Sequence, residues 1–221
     1  MDNLDGWVVR EFGPKESERT ALFLPGALAS HVFIEDVAAA PSLRTVRLVA
    51  TTLPGYAGTP APSDDRIEAY ASQAGKLATA VGADIVVGHS LGANVALEMA
   101  AAHEFSGPLI LISPSFSRKD ESIAPRALDK LSRVLGHLPY SLVLKLIGGM
   151  LKGNVPENRQ AALAAEFKKN DPRSVRRLTH TVMRYYDSHG NLAPRLCGSG
   201  SRAWSPDDRE IVPEWSPVGT S

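Results

Sequence analysis

The stretch Ile85-Val86-Val87-Gly88-His89-Ser90-Leu91-Gly92-Ala93-Asn94-Val95-Ala96-Leu97-Glu98-Met99 decides the fold. Its first three residues are apolar and β-branched, the make-up of a short buried strand. From Leu91 onward, Leu91, Val95, Met99 and Ala102 recur at helical spacing. Only Gly88-His89-Ser90-Leu91-Gly92 lies between the two patterns, so the serine occupies a tight strand-to-helix turn. Flanking glycines permit such a turn because side chains there would collide with neighbouring backbone. The Ser90 hydroxyl is then presented above the sheet, and the amide of Leu91, opening the helix, faces the same space.

Outward from this turn, short apolar runs alternate with helical segments from residue 19 to residue 113, the pattern of helices packed on a parallel sheet. Thr20-Ala21-Leu22-Phe23-Leu24 reads as a buried strand ending at Pro25-Gly26, and Thr45 to Ala50 as another ending near Pro54-Gly55. Leu109-Ile110-Leu111-Ile112 supplies a further strand, and Gly6 to Phe12 an edge strand or hairpin ahead of the parallel set. Ile67, Tyr70, Ala74, Leu77 and Val81 form a helical face after the acidic pair Asp64-Asp65, which suits a helix N-terminus. The fold class expected is α/β, a mainly parallel sheet flanked by helices.

From about residue 117 the strands stop. Leu128, Leu131 and Leu135 share a helix face, an apolar stretch runs from 138 to 151, and Ala161 to Phe167 and Val175, Leu178, Val182 and Tyr185 add two helices. The expected division is a core over 1–116, a helical cap inserted over 117–190, and a poorly patterned core remnant over 191–221. Leu142, Val143, Leu146, Ile147 and Met150 are available to line an apolar pocket, although core packing accounts for such a stripe better. After Leu192, Pro194, Pro206, Pro213 and Pro217 break the pattern, leaving at best one short strand near Arg202 to Ser205.

Composition narrows the function. The chain has 221 residues with 24 Lys plus Arg against 24 Asp plus Glu, so there is no basic excess to neutralise phosphates and nucleic acid is not an expected partner. Cys197 is the single cysteine, so an internal disulfide is excluded and no zinc pattern is present. Gly148-Gly149 follows a helix pattern and makes no phosphate loop, and no cofactor is expected. The apolar 138–151 stretch is shorter than the roughly 20 residues that span a bilayer, and Met1 to Asp5 lacks the pattern of a secretory leader. The reading is a cytoplasmic protein acting on a small molecule.

At these residues the sequence resembles the α/β-hydrolase family, in the type with Gly-His-Ser-Leu-Gly at its nucleophile elbow; the resemblance spans roughly residues 6–195. Leu24-Pro25-Gly26-Ala27 matches the loop that supplies a second oxyanion donor, with Pro25 where histidine is common. Leu53-Pro54-Gly55-Tyr56-Ala57-Gly58 matches the family's next loop, with Thr52 in place of its usual aspartate. The resemblance implies a serine hydrolase cleaving an ester, thioester or similar acyl bond. Ser90 would be the nucleophile, the backbone amides of Leu91 and Ala27 the oxyanion hole, and Asp208 or Asp207 the acid.

The family's chain order is serine, acid, histidine, and here the triad breaks. The histidines are His31, His89, His103, His137, His180 and His189, and only 13 residues follow Asp208. That is too few for a helix of about 11 residues, a strand of about 5 and a histidine loop, so no histidine base is found. His89 is expected to pack facing away from Ser90, and His31, His103 and His137 to sit on helix surfaces or boundaries. His180 and His189, in or near the last cap helix, are the upstream substitutes. A truncated or frame-shifted C-terminus is one expectation that accounts for the prolines, the lost periodicity and the missing histidine together. The alternative function is a catalytically inert binding protein that retains the fold.

Overall fold

The computed structural model describes residues 6–117 and 140–189. Five strands, β1 (Val8–Phe12), β2 (Arg19–Leu24), β3 (Val46–Thr52), β4 (Ile85–His89) and β5 (Leu109–Ile112), form one sheet in the order β1-β3-β2-β4-β5. All neighbours are parallel except β1, which pairs antiparallel with β3, Val8 opposite Thr52. The chain steps from β2 outward to β3 and then back across to β4. The strand order therefore reverses between β2 and β4, and a crevice at the carboxyl ends of such strands is where open α/β sheets bind ligands.

Two-residue alternation sends each parallel strand's side chains to both faces. Leu22, Leu24, Val49 and Val86 point to one face, where α2 (Ile67–Val81) and α3 (Leu91–Ala101) cover them. Ala21, Phe23, Leu48 and Ala50 point to the other, against Ile34 and the partly buried Phe12, Ile85 and Val87. There the chain after β2 makes a 3-10 turn over His31–Ile34, the four-residue α1 (Glu35–Ala38) and another 3-10 turn over Pro41–Leu43.

The helix predicted over 67–81 forms over those residues and ends on Gly82, whose φ of 64° lets the following amide of Ala83 reach back 2.8 Å to the carbonyl of Ala78. Its acidic prelude has another use than the one expected. Arg66 is the N-cap and pairs with Asp64 at 2.6 Å, while Asp65 pairs with Arg177 at 2.9 Å, so both carboxylates serve ion pairs in the loop. In α3 every residue from Leu91 to Met99 is buried, since sheet and helices surround it.

Three more helices follow: α4 (Tyr140–Asn154), α5 (Glu157–Lys168) and α6 (Pro172–His189). The last carries Leu178, Met183, Tyr185 and Tyr186 into the same core as α2 and α3. The final helix of the expected cap is thus part of the main core. Of the apolar stripe on α4, Val143 packs with Val175 and the partly buried Leu28 and Ile147, while Leu142 and Leu146 are exposed. The predicted face of Leu128, Leu131 and Leu135, the short strand near Arg202 to Ser205, and Asp207 and Asp208 lie outside the described residues.

Candidate active site

Ser90 sits at the carboxyl end of β4 with φ 50° and ψ −115°, a backbone state that residues with a side chain rarely adopt. Holding it costs on the order of 1–3 kcal/mol and requires surroundings that leave no alternative. Those surroundings are visible. The Ser90 amide donates to the carbonyl of Ile112 at 2.9 Å, tying the turn to the end of β5. A Cβ on Gly88 would lie 2.5 Å from the carbonyl oxygen of Gly92 and 2.6 Å from Cα of Ala93. A Cβ on Gly92 would overlap the carbonyl of Leu24 and come within 2.7 Å of the Pro25 oxygen. Both glycines are therefore spaces into which neighbouring backbone has moved.

The carbonyl of Ser90 accepts from Ala93 at 2.9 Å and Asn94 at 3.2 Å, so α3 starts here. The first amides of a helix have no intrahelical acceptor, and Leu91 supplies such a donor directly after the serine. The loop after β2 crosses the same spot: a Cβ on Gly26 would stand 3.2 Å from Cβ of Ser90 and 3.0 Å from Nδ1 of His89. Gly26 and Ala29 close a turn at 3.2 Å, with Ala27 exposed on its crest and Leu28 at φ 67°. The structure thus brings Ser90, Leu91 and the Gly26-Ala27 turn together at the β2/β4 crevice. Anion stabilisation by two backbone amides beside a serine hydroxyl is what this arrangement can supply.

The sequence model of the Alpha/beta hydrolase family matches residues 21–218. The chain belongs to the α/β-hydrolase family. Solved structures show the same fold. An esterase, EaEST, from Exiguobacterium antarcticum superposes with TM-score 0.68 at 18% identity, over 86% of this chain and 72% of its own. A hydrolase from Pseudomonas aeruginosa gives 0.67 at 16% identity, over 87% and 72%. The N-acyl homoserine lactonase AidH, complexed with N-butanoyl homoserine, gives 0.64 at 21% identity, over 86% and 69%. No curated protein matches by sequence.

In this α/β-hydrolase the described histidines are placed as follows. His89 is solvent-exposed, with its ring edge against the Gly26 turn, and partial desolvation lowers its pKa. His31 follows the Gly26-Ala27 turn; its amide donates to Thr52 Oγ1 at 3.1 Å and its Nδ1 lies 3.1 Å from the same oxygen. Desolvation holds the His31 pKa below the ordinary value, against the opposing pull of Glu166 and Glu35. Thr52, standing at the position of the family's aspartate, thus fixes the orientation of this ring. His103 is exposed just after α3, and His180 is half-buried on α6. His189, on the last turn of α6, has Nδ1 3.0 Å from the carbonyl of Tyr185 and Nε2 3.8 Å from Glu68. Ser90 Oγ makes no hydrogen bond among the described residues, where no group of three or more His, Cys, Asp or Glu is placed to hold a metal. No helix there is long and apolar enough to cross a membrane.

Sequence reading missed the second layer of the site. Asn94 Nδ2 donates to the carbonyl of Ser115 at 2.6 Å and its Oδ1 accepts from Tyr186 at 3.2 Å, while Tyr185 donates to buried Glu98 at 2.5 Å. Polar residues at consecutive turns of an otherwise apolar buried helix were the available signal. Asn170 gave no signal beyond the helix break before Pro172, yet it is buried and bonds to two loops of the site.

Proposed function

We propose that this chain is a serine hydrolase that cleaves an ester, thioester or similar acyl bond of a small apolar substrate. Ser90 attacks the acyl carbon, the developing oxyanion is held by the amides of Leu91 and Ala27, and the acyl group passes through Ser90 to water. The observation that carries this reading is the backbone of Ser90. A side chain kept at φ 50° between two glycines with no space for a Cβ is a costly arrangement that an ordinary strand-to-helix turn does not need. Proposed with it are Asp208 or Asp207 as the acid, the cap over 117–190 with α6 as its foot in the core, and a cytoplasmic location. The esterase and lactonase neighbours support acyl chemistry as the class.

The reading assigns no base. A base has to reach the serine hydroxyl within about 2.6–3.2 Å or through one water. No hydrogen bond to Ser90 Oγ from a described histidine supports His180 or His189 in that role. That same observation favours the second reading, a binding protein that keeps the fold without turnover.

Labelling of the full chain with a fluorophosphonate probe, with Ser90→Ala as control, separates the two. Labelling lost in Ser90→Ala supports the hydrolase; a folded protein that is not labelled, but binds a short-chain ester unchanged, supports the binding protein.

A further inference from the structure

Asn170 lies in the short connection between α5 and α6, far in sequence from the elbow, and is 3% exposed. Its Oδ1 accepts from the amide of Ala57 at 2.8 Å, and its Nδ2 donates to the carbonyls of Leu28 and Phe167, each at 3.0 Å. The partners fix which end of the carboxamide is which, since an amide must face oxygen and carbonyls must face nitrogen. One side chain thus links the turn after β2, the loop after β3 and the end of α5.

Both core partners are strained. Leu28 has φ 67° and Ala57 φ 46°, left-handed values at residues with a Cβ. Without an external hold each would relax toward negative φ. For Leu28 the hold is double: its carbonyl is bonded to Asn170, and its side chain packs on Val143 of α4 and Val175 of α6. Leu28 follows Ala27 directly, inside the turn whose other end, Gly26, touches Ser90.

We propose that Asn170 is a positioning residue for the oxyanion turn: by holding the Leu28 carbonyl and the Ala57 amide from the helical block, it fixes the direction of the Ala27 amide relative to Ser90. The proposal rests on the serine-hydrolase reading for its catalytic consequence but not for its structural one. It makes the α5–α6 connection a component of the site and not only its cover.

The test uses the full chain and the variants Asn170→Asp and Asn170→Ser. The first keeps the shape, removes the donors and sets a carboxylate oxygen against the Leu28 carbonyl; the second shortens the side chain without adding charge. Arg159→Ala is the control, because Arg159 anchors α5 to the core through Glu35, Asp36 and the Val32 carbonyl without touching either loop. Hydrogen exchange by mass spectrometry in the unliganded proteins is read first. Peptides covering 25–30 and 55–58 should exchange about tenfold faster in a folded Asn170 variant, and unchanged in Arg159→Ala. The rate of fluorophosphonate labelling at Ser90 is read second and should fall about 10–100-fold, the scale of an ångström-sized misplacement of a catalytic group. Unchanged exchange in both loops overturns the proposal. Faster exchange with unchanged labelling overturns the link to the oxyanion. If the unmodified chain itself is not labelled, the serine-hydrolase reading falls, and the exchange data alone decide whether Asn170 holds the two loops.

Discussion

Replacing Gly92 by alanine tests the geometry on which the site depends, and the sign of its effect is opposite to what helix propensity dictates. Alanine inside a helix is favoured over glycine by about 0.8–1.0 kcal/mol. At Gly149, on α4 with nothing within 4 Å of its would-be Cβ, that gain should appear in full. At Gly92 the same methyl overlaps the Leu24 carbonyl and comes 2.7 Å from the Pro25 oxygen, both backbone atoms that no rotamer change can move. Overpacking costs about 1–3 kcal/mol, and rigid backbone on both sides places Gly92 at the upper end. Subtracting the propensity gain leaves a net loss of about 2 kcal/mol. For a chain of this size 1 kcal/mol moves Tm by about 2–4 °C. Thermal unfolding followed by circular dichroism should therefore show Gly92→Ala lower by about 4–8 °C and Gly149→Ala higher by about 2–4 °C. A Gly92→Ala melting point at or above that of the unmodified chain would refute the close approach of α3 to the end of β2, and with it the pairing of Leu91 with the Ala27 turn.

Ser90→Gly should raise stability by about 1 kcal/mol, as a left-handed residue loses its Cβ strain; an unchanged or lower Tm would show that Ser90 is not strained. Asp171 caps α6, accepting from the Ser174 amide at 2.8 Å, so Asp171→Ala should cost about 1 kcal/mol. Hydrogen bonds from the Ser174 amide and hydroxyl hold its carboxyl below the ordinary pKa of 3.8, so the contribution is present above that pH and fades as pH falls through the folded value. Denaturant titrations at pH 7 and pH 3 should show the Asp171→Ala deficit shrinking at the lower pH. His31 also favours its deprotonated form, here because burial disfavours the charge. Desolvation favours its neutral form, so below its ordinary value of 6.5 the unfolded chain takes the proton first and stability declines as pH falls. The His31→Gln variant should flatten that decline between pH 7 and pH 5, and an identical slope in both proteins would remove His31 as its source.

The sheet was legible because its information is local. Short continuous apolar runs bounded by turn residues mark β2, β4 and β5. The helix over 67–81 was legible for the same reason, from the spacing of Ile67, Tyr70, Ala74, Leu77 and Val81. Where the sequence misled, a long-range partner had intervened: Asp65 reads as a helix-dipole partner until Arg177, more than a hundred residues later, is placed beside it. The elbow was readable because steric exclusion writes itself as glycine. Asn170 was not, since a buried amide bonding two distant loops leaves no periodicity and no motif.

The two links of α6 to the elbow helix change how the helical block should be regarded. Tyr185 to Glu98 and Tyr186 to Asn94 join consecutive turns of α3 to one end of α6, and Asn170 joins the connection before α6 to the loops beside Ser90. Each of these bonds is buried or nearly so, where leaving a polar group unpaired costs about 1–3 kcal/mol. Swinging α6 away from the core would break them together, along with the burial of Leu178, Met183, Tyr185 and Tyr186. Local openings draw on elements with few buried contacts. Among the described residues α4 fits that description, with Leu142 and Leu146 exposed and Val143 its main apolar hold on α6. α4 is then the element expected to open first, while α6 and Asn170 stay fixed.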